Sequence, residues 1–195
     1  MQPRLLLLLA LLAFWCWTHP PVLQLWTGRC SYEQLAFLRA HGARVRPTEH
    51  GLRIVANRGG VRALACWCAH LQRSRELVSQ NLANAHTYET AEGTPYRRRF
   101  VAITPAGESF VNEDRGDYNW VYDPTNPNAL QDGEHKGYVP MPNVNESWER
   151  SQLQLLNEEV PRYRQALEEL SRMTDPTHRL DLDPLVEEPA KPESL

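Results

Sequence analysis

Two stretches of this 195-residue chain carry apolar residues at a spacing that only a helix can gather onto one face. Val61, Leu64, Cys68, Leu71, Arg75, Val78 and Leu82 recur at alternating steps of three and four. Leu153, Leu156, Val160, Tyr163, Leu167 and Leu170 do the same. That alternation is the repeat of a coiled-coil seam. Each stripe has to be covered, by the other or by another chain. Both stripes carry a misfit. Arg75 occupies a core slot, so its head needs a carboxylate or a route to water. Pro161 either bends its helix or opens a second segment in that segment's first turn. The helices are predicted over 61–85 and 146–173, with Asn84 ending the first in the left-handed conformation that Asn tolerates.

Residues 86–145 lose the helical period. Residues 100–103 are strand-like, and "ESFVNE" and "YNWVYD" flank "DRGD", which predicts a hairpin across that turn. Tyr118, Trp120 and Tyr122 alternate and would share one face. "YDPTNPNALQDGEHKGYVPMPNVN" is a connector rich in Pro, Asn and Gly, and its acids do not follow calcium-loop spacing. The fold class is therefore mainly α with a small β part. Two coiled-coil-forming helices lie N- and C-terminal to a β-hairpin-containing insert, behind an N-terminal hydrophobic leader.

The leader is read over residues 1–30. Its apolar run, residues 5–17, has signal-peptide length and is too short for a full span. Apolar character resumes at 22–26, beyond His19, Pro20 and Pro21, so residues 5–26 could serve as an anchor. Cys16 and Cys30 lack the small preceding residues that lipidation requires. Residues 31–60 read as a helix–strand extension. "SYEQLAFLRAH" is capped by Ser31 with Gln34 completing a capping box, Gly42 ends it, and a strand follows at 52–55. Residues 61–173 form the main domain. Residues 174–195 are an acidic, Pro-rich tail without period, expected to be disordered.

The net charge of −3 hides a polarity. Residues 1–100 hold 13 arginines against 5 acids, and residues 101–195 hold 8 basic residues against 19 acids. No aromatic platform accompanies the arginines, so nucleic acid is not the expected partner, whereas packing of one subunit on the next accounts for the polarity. Cys66, Cys68 and His70 resemble a metal cluster on paper. On a helix Cys68 points away from the other two, so they cannot converge on one ion. No nucleophile, base and orienting group can be placed together, and neither an enzyme nor a cofactor is expected.

"SQNLANAHT" followed by "PYRRRFV" resembles the end of the first helix in flagellar axial proteins, in particular rod proteins of the FlgC type. "YDPTNP", then "GYVPMPNVN" leading into the last helix, and "EVPRYRQALEEL" within it, resemble the same family. The chain departs from the family pattern in its N-terminal extension, in extra connector residues around 131–135, in Met141 and in Pro161. The resemblance implies a structural subunit of the flagellar basal-body rod. It would assemble with itself and with other rod and basal-body proteins, and residues 5–26 could touch the inner membrane. The assembly residues it implies are Asn81, Leu82, Ala83, Asn84, Ala85, Tyr96, Arg97, Asn143, Val144, Asn145, Leu156, Val160, Tyr163 and Leu167. In this reading the arginines after Tyr96 meet acidic surface on an adjacent chain. Residues 31–58 also resemble half of a small ring-building module of secretion systems. A membrane-anchored periplasmic adaptor or ring component is the alternative.

Overall fold

The structure, a computed structural model, describes residues 22–26, 31–104 and 108–175. The apolar run at 5–17, Cys16, Cys30 and the acidic tail beyond residue 175 lie outside the described residues. The elements run β1 (Val22–Trp26), α1 (Tyr32–Ala40), β2 (Val45–Thr48), β3 (Gly51–Val55), α2 (Arg58–Ala83), β4 (Arg99–Ile103), β5 (Ser109–Glu113), β6 (Asn119–Tyr122), β7 (Tyr138–Met141) and α3 (Glu146–Thr174). With seven short strands beside three helices, the described chain is mixed α and β rather than mainly α. It divides into two compact units. Of the described residues, one holds 22–26, 31–69 and 162–175, and the other holds 70–104 and 108–161. Both long helices contribute residues to both units.

The first unit is built on an antiparallel sheet of order β1-β3-β2. Val22–Trp26, read from sequence as continuing the leader, instead forms strand β1, paired along its length with β3. Alternation sends Leu23, Val45, Leu52 and Ile54 into the core. Helix α1 starts where the Ser31 hydroxyl accepts the Gln34 amide at 3.1 Å. It ends where Gly42 takes φ +86°. Phe37 and Leu38 of α1 are buried with Leu64 and Trp67 of α2 and with Tyr163, Leu167 and Leu170 of α3. The Trp67 ring meets Phe37 edge-on at 5.2 Å and Tyr163 at 6.4 Å.

Helix α2 begins a turn earlier than its apolar period suggested, because Asn57 caps it. The Asn57 Oδ1 accepts the Gly60 amide at 2.7 Å. Gly60 is required by a close approach, since a Cβ there would lie 2.5 Å from the Val55 carbonyl oxygen. At the other end, no described residue other than Gly has positive φ, so Asn84 does not end the helix in the left-handed conformation. Its side-chain amide instead donates to the Gln80 carbonyl at 2.8 Å.

In the second unit the hairpin expected across "DRGD" does not form. Strand β5 pairs with β4, and β6 pairs with β7, giving two separate two-stranded ribbons. Trp120 stacks on His135 at 4.0 Å and Tyr122 meets Tyr138 edge-on at 5.0 Å, tying the connector to the second ribbon. Helix α3 runs through Pro161 without a break. Pro161 is exposed, so its ring faces water. Arg75 is half-buried, with no carboxylate in ion-pair range among the described residues.

Candidate assembly surface

The geometry around residues 81–99 is set by one wholly buried amide. Asn81, near the end of α2, is 0% exposed. Its Oδ1 accepts the Tyr96 hydroxyl and the Arg99 amide, each at 2.9 Å, and its Nδ2 donates to the Arg99 carbonyl at 2.8 Å. One side chain thus satisfies both backbone groups of the first residue of β4, as burial demands. Ala85, Tyr96 and Val144 form a small apolar cluster in this unit.

The arginine run finds its partners within the chain. Arg97 donates to the Gly116 carbonyl at 2.9 Å and lies 4.3 Å over the Tyr118 ring. Arg99 pairs with Glu113, its cross-strand partner, at 3.0 Å. Arg98 donates through Nε to Glu149 Oε1 at 2.6 Å and covers the Trp148 ring at 4.5 Å. Its backbone amide is accepted by Asn143 Oδ1 at 2.8 Å, while Asn143 Nδ2 donates to the Asp114 carbonyl at 3.0 Å. Asn145 caps α3 by accepting the Trp148 amide at 3.1 Å.

Glu149 was not singled out by sequence reasoning. It is wholly buried, and its Oε2 has no hydrogen-bond donor among the described residues. A signal existed: Glu149 stands four residues before Leu153, so it continues the seam of α3 by one step. A carboxylate in a core slot calls for a buried cation.

The residues expected at an assembly surface therefore divide. Asn81, Ala85, Tyr96, Val144, Val160, Tyr163 and Leu167 are buried. Leu82, Asn84, Arg97, Asn143 and Leu156 are half-buried, and Ala83 and Asn145 are exposed. The seam of α3 changes character along its length. From Val160 onward it is buried, whereas Leu153 and Leu156 stay half-exposed and Leu155 is 53% exposed. A shallow groove of about 370 Å³ opens beside Leu153, lined by that residue, by Leu82 of α2 and by Arg150, Gln154, Asn157 and Glu158 of α3. Of the Cys/His trio, Cys68 is buried, and desolvation pushes its thiol up to about 12. Burial lowers His70 to about 4, and its Nδ1 lies 3.2 Å from the Ser109 hydroxyl. Among the described residues no three His, Cys, Asp or Glu side chains are grouped to hold a metal.

Two long helices flanking a β-rich insert, with leucines left open beside a groove, define the class: a mixed α and β protein whose long helices keep apolar surface open. Comparison with known proteins is more particular. No family model matches the chain. It is similar to the flagellar basal-body rod protein FlgC of Bacillus subtilis, 37% identical over 100 residues, covering 37% of this chain and 64% of that protein. It is 31% identical over 98 residues to FlgC of Borreliella burgdorferi, covering 38% of this chain and 64% of that protein. It is 38% identical over 80 residues to FlgC of Agrobacterium fabrum, covering 35% of this chain and 55% of that protein. Over a little more than a third of its length the chain is thus similar to FlgC rod proteins, and it spans less than two thirds of the length of these relatives.

Proposed function

We propose that this chain is a structural subunit of the flagellar basal-body rod, assembling through coiled-coil contacts of α2 and α3 and needed for motility. The observation that supports it is the half-open seam of leucines, Leu153 and Leu156 of α3 with Leu82 of α2, of which Leu82 and Leu153 line the groove. Apolar surface of this kind on a helix calls for a packing partner. Its partners are other rod and basal-body proteins and further copies of itself, and its place is the periplasmic rod. The helix end "NLANA" serves this role indirectly. Asn81 holds β4 against α2, and Leu82 on the next turn face is left to meet a neighbour.

Leu82→Asp and Leu156→Asp each place a carboxylate in a half-buried apolar stripe, where pairing would leave it unsolvated. In the host cell, each variant should be absent from purified basal bodies and should abolish motility, while the wild-type chain co-purifies with them. Cys66→Ser, Cys68→Ser and His70→Ala should leave assembly intact. Basal bodies that lack the wild-type chain, in motile cells, would sink the proposal. An adaptor anchored in the membrane would instead remain in alkaline-washed membranes of cells that build no rod.

A further inference from the structure

The solvent face of the first unit's sheet carries a feature that the rod reading does not use. Arg46 of β2 and Arg53 of β3 are direct cross-strand partners, so their side chains leave the sheet side by side. Arg44 precedes β2 by one residue and shares their face, its carbonyl accepting the Val55 amide at 3.0 Å. All three arginines are exposed. Among the described residues no ion pair reaches any of them. Like charges placed directly opposite destabilise a sheet. This pair is nevertheless held in place: Arg53 Nε donates to Gln24 Oε1 at 2.8 Å, and Gln24 Nε2 donates to Thr48 Oγ1 at 3.1 Å, a polar strap across all three strands. The opposite face, with Leu23, Val45, Leu52 and Ile54, is the core.

We propose that this arginine face binds anionic phospholipid headgroups, and so lays the sheet on a membrane surface. Chain continuity selects this occupant. The apolar run at 5–17 ends four residues before β1. Four residues reach at most about 14 Å, so a sheet tied to that run stays within reach of the headgroups wherever the run is inserted. The run itself is short for a span, and a single weak apolar anchor holds stably only with a second signal, of which a polybasic patch is one. Three arginines on one face supply it, each contributing about a five-fold increase in binding near an anionic surface. The proposal stands apart from the rod reading and fails separately from it.

The test is flotation of the full chain with vesicles of mixed phosphatidylglycerol and phosphatidylcholine, against pure phosphatidylcholine. Wild type should prefer the anionic vesicles by on the order of a hundred-fold at low salt, and the preference should shrink as salt rises. The triple variant Arg44→Gln, Arg46→Gln, Arg53→Gln should lose that preference and keep its binding to neutral vesicles. The triple Arg→Lys variant should retain it. Should the glutamine triple not fold, Arg44→Gln alone, at the start of the strand, should lower the preference about five-fold. Equal binding of wild type to both vesicles overturns the proposal, as does a glutamine variant that keeps the preference. Displacement by dilute inorganic phosphate would show a site for small anions instead. A preference that emerges only after removal of residues 176–195 would show that the acidic tail is the occupant. Either result also overturns it.

Discussion

Replacing Asn81 by Leu keeps the side chain's size and removes all its polarity. Three hydrogen bonds are lost, and the Arg99 amide, the Arg99 carbonyl and the Tyr96 hydroxyl lose the group that paired them. Each neutral hydrogen bond contributes about 1 kcal/mol net, but a buried group left unpaired costs about 1–3 kcal/mol. The Tyr96 hydroxyl is buried with Asn81, and the two backbone groups of Arg99 cannot leave the strand. The expected loss is therefore roughly 3–5 kcal/mol, a large share of a small domain's stability. Tyr96→Phe should cost only about 1 kcal/mol, because Asn81 keeps both bonds to Arg99. The assay is urea unfolding followed by tryptophan fluorescence, with amide exchange at Arg99 as the local readout. Exchange there should accelerate by at least the factor that matches the global loss. If Asn81 acted at a subunit interface, as its motif suggests in isolation, Asn81→Leu would disturb assembly and leave the isolated chain's stability unchanged. That result would refute the clamp.

Arg98→Ala strands the wholly buried Glu149 without its cation and should cost about 3–5 kcal/mol, with Glu149→Gln in the same chain recovering part of the loss in a double-mutant cycle. Gly60→Ala should lower stability by about 1–3 kcal/mol in a thermal melt, since its new Cβ would press on the Val55 carbonyl 2.5 Å away. His70 is lowered from 6.5 to about 4 by desolvation, so the unfolded chain binds the proton more tightly. The stability His70 supplies is full above pH 6.5 and fades as the pH falls toward 4, by on the order of 2 kcal/mol once the ring's partial exposure is discounted. His70→Gln should flatten that part of the pH–stability curve.

The helices were legible because their stripes repeat over many residues, and periodicity needs no partner to be read. The seam could not show that its two halves differ. Tyr163 and Leu167 are covered by the sheet unit's core, while Leu153 and Leu156, identical in pattern, are left half-open. Strand pairing was less legible. β5 is a short, alternating segment that suits either neighbour, and its choice of β4 joins Arg99 to Glu113 across the ribbon, a contact between residues 14 apart. β1 was hidden because a five-residue apolar strand beside an apolar leader is compositionally continuous with it. At the motif, the sequence marks Asn84 as a helix end, and the resemblance marks both asparagines as assembly residues. Which backbone they serve depends on how the chain returns after residue 86, and Asn81 turns out to serve a strand eighteen residues on.

The division of both long helices between the two units has a consequence for the order of synthesis. The unit of residues 70–161 is continuous in sequence apart from three residues, so it can finish folding once Pro161 has emerged. Among the described residues the sheet unit is made of 22–26 and 31–69 together with 162–175. Trp67 and Gln34 wait for Tyr163, which reaches both, and Tyr163 is made almost a hundred residues after Trp67. During that interval Phe37, Leu38 and Trp67 have no C-terminal helix to cover them. A ribosome-bound or translocating chain is therefore most vulnerable to proteolysis and aggregation through its earliest-made core, and a stop codon just before Tyr163 would strand that core permanently.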